Sequence, residues 1–155
     1  MSALVVNHRL RAAAAGAAAA TAWAVQEPFD QWLMRCDYSD VALLGKAVTR
    51  GARWRVAGLA LHAANGAVFG LVFQELRRRI DVESRRLALG MALAEHVTLY
   101  PLGYFVDRYH PAHGAPGIPR LIGNRRAFAQ ATWRHTVFGI VLGRLAQSDA
   151  ATVPP

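Results

Sequence analysis

Six side chains lie inside apolar stretches at spacings that could do chemistry: His62, Asn65, Glu95, His96, Arg134 and His135. Gln130 joins them on the last stretch. Imidazoles and carboxylates in apolar surroundings are costly, so they face inward and find partners. Three chemistries are open to them. Opposed imidazoles at His62 and His135 would ligate a haem iron. A His/Glu cluster would hold zinc or iron. Glu95, His96 and His135 would relay protons or line a solute path, which requires a cavity bounded by those three residues. Against a metal, there is no Glu-x-x-His pair of the di-iron bundle kind. Adjacent Glu95 and His96 also point about 100° apart on a helix. The leading expectation is therefore no metal and no cofactor, with interhelical hydrogen bonds such as Glu95 to Arg134 or His135.

Other chemistry is weaker still. Asp107, His110 and His113 fall in a Pro-rich loop and read as a solvated turn. Cys36 is the only cysteine and has no adjacent base. No serine has triad context, and no glycine-rich phosphate loop follows a strand. No catalytic set emerges, and a non-enzymatic role is expected.

The elements that carry these residues read as helices. Spans are expected at 9–26, 55–74, 86–106 and 127–146, each near the length a bilayer needs. Gln26-Glu27-Pro28 is expected to end the first, because proline disfavours helix at the residue before it. The basic start and the run closing on Ala22-Trp23-Ala24 also fit a cleavable signal peptide; three later spans favour a retained helix. Ser39 is placed to cap an amphipathic helix over 39–50, lying on the bilayer surface or covering the bundle end. Pro111, Pro116 and Pro119 keep 107–126 a loop. The tail 147–155 is expected to be disordered.

His62, Gly66 and Gly70 share one helical face, and His135, Gly139 and Gly143 repeat the pattern 73 residues later. Pro28 and Pro101, Arg35 and Arg108, and Gln74 and Gln147 match at the same offset. This reads as a duplicated hairpin, with halves over about 9–76 and 82–146 in a single membrane domain spanning 1–146. The two Gly-xxx-Gly stripes would let helix backbones approach closely and could meet near a pseudo-twofold axis. They would serve packing within the bundle, or a homodimer or another membrane-protein partner.

The 155 residues carry a net charge of +8, almost all from arginine, and are 54% hydrophobic. The arginines cluster at the ends of apolar stretches, as in Arg77-Arg78-Arg79 and Arg85-Arg86. That favours lipid headgroups over nucleic acid as the basic surface's partner. The dense linker between spans two and three points to the cytoplasm, with both termini there in an inner-membrane protein. A soluble basic helical domain is the alternative that extraction without detergent would reveal.

The stretch His62-Ala-Ala-Asn-Gly-Ala-Val-Phe-Gly-Leu-Val-Phe, following a charged amphipathic segment, resembles small bacterial inner-membrane proteins of the YagU-like kind. The resemblance implies an all-α, integral membrane four-helix bundle. It brings no catalytic residues.

Overall fold

In the computed structural model, which describes residues 3–151, all regular structure is helical. The order is α1 (Ala3–Met34), α2 (Asp40–Val48), α3 (Trp54–Arg77), α4 (Ser84–Leu99), a 3-10 turn (Tyr100–Leu102), α5 (Gly103–Tyr109) and α6 (Arg125–Ala151). The expected tail therefore continues α6 as far as Ala151; residues 152–155 lie outside the described residues. α1 packs on α3, α4 packs on α6, and α1 against α6 joins the two pairs. Contact between α3 and α4 is slight, which leaves a seam there.

α1 owes its length to alanine, the best helix former. Ala12, Ala15, Gly16, Ala19, Ala20 and Trp23 form its buried stripe. The small residues bring α1 and α3 into backbone contact. A methyl group at Gly16 would collide with the Gly66 carbonyl, and one at Gly70 with the Ala12 carbonyl. On the other pair, Gly139 abuts the Leu89 backbone and Gly143 the Arg85 backbone. The two stripes thus do not meet each other, as an axis between α3 and α6 would require. Each is filled by the preceding long helix of its own hairpin.

Two boundaries differ from the sequence reading. α1 runs through Pro28 to Met34 instead of ending at Gln26-Glu27. Proline's local penalty is outweighed because Asp30, two residues on, is locked into a buried ion pair (below). Arg35, at φ 48°, then breaks the helix. The third span is split: α4 stops at Leu99, Pro101 sits in the 3-10 turn, and α5 carries the chain to Tyr109.

α2 begins where expected. Ser39 Oγ accepts a hydrogen bond from the Ala42 amide at 3.0 Å. Its Val41, Ala42 and Gly45 face is buried, and Gly45 and Gly58 allow α2 and the start of α3 to touch backbone to backbone. Val48, at the C-terminal end of α2, is exposed. The 110–124 segment closes over this end. Lys46 donates to the Pro116 carbonyl at 2.6 Å, and Asp107 accepts from the Leu121 and Ile122 amides at 2.7 and 2.9 Å. Asn124 caps α6 through the Ala127 amide.

The polarity of the bundle is inverted. Over residues 12–34, 56–74, 87–99 and 127–143, every exposed residue is apolar except Thr21, Asn65 and Thr98. Val25, Phe29, Trp32, Val56, Val68 and Val97 are all more than half exposed. Arg134, Asp30 and Gln130 are fully buried. Of the described helices, α3 alone combines the length and apolar composition of a membrane span.

Candidate functional site

Two connected arrangements occupy the middle of the bundle. The first is an ion cluster around Arg134. Gln26, Glu27 and Asp30 lie on one side of α1 at near-helical spacing, and Gln130 and Arg134 sit one turn apart on α6. Arg134 Nε and Nη2 donate to the two Asp30 carboxylate oxygens at 2.7 and 2.6 Å. Nη1 reaches Asp40 at 2.9 Å and Glu27 at 3.5 Å, and Nη2 also donates to the Tyr38 carbonyl at 2.8 Å. The guanidinium also lies over the Tyr38 ring, 5.3 Å from its centroid. All five guanidinium N–H groups can thus be used, the condition under which such a charge tolerates burial.

The carboxylates are satisfied in turn. Asp30 accepts from Gln26 at 2.7 Å and from Gln130, which also donates to the Cys36 carbonyl. Asp40 accepts from the Tyr38 hydroxyl at 2.6 Å and the Trp23 indole at 3.2 Å. Glu27 accepts from Ser39 Oγ at 2.6 Å and the Asp40 amide at 3.0 Å. Burial alone would raise Asp40, but Arg134 and the Tyr38 hydroxyl hold it below the usual carboxylate range. Burial and the neighbouring Asp40 charge push the Tyr38 phenol well above its ordinary value, so it stays a donor. The cluster thereby fastens α2 and the 36–39 connection to both α1 and α6.

The second arrangement is a cavity of about 280 Å³ beside the cluster. Its polar lining is Asp40, His62, Asn65, Glu95, His96 and His135, and its apolar walls include Trp23, Phe69, Tyr100, Phe128 and Phe138. α3 supplies His62, Asn65, Gly66 and Phe69, and α4 supplies Glu95, His96 and Leu99. The cavity therefore bounds the lightly packed α3–α4 seam, where Asn65 is exposed.

The histidines are ordered by rings. Trp23 packs edge-on against His62 and His135, at centroid distances of 5.0 and 4.5 Å. His96 lies 4.8 Å from His135 and hydrogen-bonds Thr132 through Nε2 at 2.9 Å. His135 Nδ1 meets the Ala131 carbonyl at 2.8 Å, leaving Nε2 3.9 Å from Glu95 Oε2. His62 is 7% exposed, and its Nε2 has no hydrogen-bond partner.

The sequence-derived cluster is thus divided. His62, Asn65, Glu95, His96 and His135 come together around the cavity. Arg134 leaves them: its partners are Asp30, Asp40 and Glu27, and Glu95 pairs with His135. The indole of Trp23 packs edge-on against both His62 and His135. Among the described residues, no three His, Cys, Asp or Glu side chains converge as a metal site. Asp107 and His110 serve the loop, His110 through the Leu43 carbonyl at 2.9 Å.

Sequence reasoning missed Asp30, Asp40, Tyr38 and Trp23. The signal for Asp30 was available in its spacing from Gln26 and Glu27, a polar stripe in an alanine helix. Asp40 and Tyr38 carried no such signal, because their role depends on where the 35–40 connection folds.

No protein-family model, no curated protein and no solved structure matches this chain.

Proposed function

We propose that this chain is a multi-pass integral membrane protein whose four long helices enclose a binding site for a small solute. The observation that carries the reading is the cavity lined by Glu95, His96 and His135, with the unpartnered His62 Nε2 beside it. A chain that only needed to pack helices would close this space, since buried polar atoms without partners cost stability.

The membrane part rests on where charge sits. Arg11 and Arg35, Arg55 and Arg77, Arg86 and Arg108, and Arg125 and Arg144 bracket the four passes. Each pair is 19 to 24 residues apart, roughly 28 to 36 Å if wholly helical and enough for the hydrocarbon thickness. The face between the belts is apolar, while the ions lie inside, where Arg134 is shared by Glu27, Asp30 and Asp40. α1 and α6 read as weak spans because their hydropathy is lowered by alanine and by cluster members Glu27, Asp30, Gln130 and Arg134.

The hairpin duplication belongs to the same reading. Gly66 meets Gly16 and Gly139 meets Leu89; Gly70 meets Ala12 and Gly143 meets Arg85. Each second contact is the first displaced by 73 residues at both ends. The Gly stripes thus serve packing within each hairpin rather than a homodimer. An inner-membrane location agrees with the resemblance to YagU-like proteins.

The test has two parts on one sample. Carbonate-washed membranes should retain the chain and detergent should release it. The purified chain should bind a phenylalkyl solute, and Ala131→Phe, in the cavity wall, should abolish that binding without unfolding the protein. Recovery in the soluble fraction, or binding unaffected by Ala131→Phe, overturns the proposal.

A further inference from the structure

The hydrogen-bond directions in the cavity select a class of solute. A backbone carbonyl only accepts, so His135 Nδ1, bonded to the Ala131 carbonyl, must carry the ring proton. The Nε2 of neutral His135 is then a bare lone pair. The buried Nε2 of His62 has no partner, so with the ring proton on Nδ1 it is a second free acceptor. Glu95 adds a carboxyl group 3.9 Å from the Nε2 of the uncharged His135 ring, beyond hydrogen-bond distance. The neighbouring cation, Arg134, already has its donors engaged by Asp30, Asp40, Glu27 and the Tyr38 carbonyl. The site thus offers acceptors and negative charge. Around them stand the aromatic faces of Trp23, Phe69, Phe128 and Phe138.

We propose, resting on the solute-site reading above, that the cavity takes a lipophilic primary amine as its ammonium ion, entering at the α3–α4 seam. An ammonium brings three N–H donors and no acceptor, the complement of His62 Nε2, His135 Nε2 and Glu95. Its charge supplies the cation that Glu95 lacks in a low-dielectric setting. The aromatic walls hold its apolar body and attract its charge through their ring faces. An organic body also fits these walls better than a bare metal ion, for which no three-ligand group exists among the described residues. Asn65, exposed at the seam and lining the cavity, marks the entrance.

The test is calorimetric titration of the detergent-purified chain with three probes of one shape: 4-phenylbutylamine, 4-phenylbutanol and 4-phenylbutyrate. The amine should bind at least tenfold more tightly than the alcohol, and the butyrate most weakly. Glu95→Gln should remove the amine's advantage, so that amine and alcohol bind that variant within about twofold of each other. The wild-type ranking stands by itself should Glu95→Gln fail to fold. Alcohol binding equal to the amine, or butyrate binding tightest, overturns the amine assignment and leaves the solute site standing. Failure of all three probes to bind overturns the solute site itself.

Discussion

Arg134 and Asp30 face each other across α6 and α1 as a two-pronged pair, with both side chains fully buried and the contacts at 2.6 and 2.7 Å. The pair holds α1 helical beyond Pro28 and brings the two hairpins together. Arg134→Met would leave Asp30 buried without its cation, a change worth about 3–5 kcal/mol. Arg134→Lys should recover little, since one ammonium cannot replace the planar fork that serves Asp30, Asp40 and the Tyr38 carbonyl. Thermal unfolding in detergent should rank the chains wild type, then Lys, then Met.

Backbone contact between hairpin helices makes a second prediction. Gly16→Leu and Gly66→Leu drive side chains into the facing backbone and should destabilise by at least about 1–3 kcal/mol. Gly139→Leu should cost as much, because Leu89 Cα stands where its side chain would begin. Gly90→Leu is the control: no atom lies near its added Cβ, and it should be neutral or stabilising. Unfolding midpoints of the four variants check the contrast.

The acid limb of stability should depend on Asp40. Its folded-state pKa lies below the ordinary value, so its contribution is present above the unfolded pKa of about 3.9 and is lost as pH falls through the folded value. Wild-type protein should therefore lose stability on acidification below about pH 4. Asp40→Asn should be less stable at neutral pH and show a shallower acid dependence. A pH series of melting curves decides it; parallel acid limbs would remove Asp40 from the account.

The proposed membrane reading has an even number of passes, which puts the two ends of each hairpin on one side. A cysteine at Asp81 should be labelled from the cytoplasmic side and one at Arg50 from the opposite side, in a Cys36→Ala background. Labelling of both from one side would contradict the arrangement.

How far the sequence carried the fold depends on what each residue answers to. α3 was legible, expected over 55–74 and found over Trp54–Arg77, because its apolar run and its Arg77–Arg79 stop are local. The Ser39 cap and the proline-rich loop were local too. The end of α1 was not, since a partner 104 residues away outweighs the preference around Pro28. The grouping of His62, Glu95, His96 and His135 was readable from their shared apolar setting. The placement of Arg134 was not, because three carboxylates compete for it and only the path of the 35–40 connection decides among them.

The most direct measurement is spin-label accessibility at Val68→Cys, on the exposed face of α3, in a Cys36→Ala chain reconstituted into liposomes. A lipid-facing position should be open to oxygen and closed to a water-soluble nickel chelate, with Gly51→Cys outside the belt showing the reverse. Free access of the chelate to Val68→Cys would place that face in water and contradict a membrane-embedded bundle.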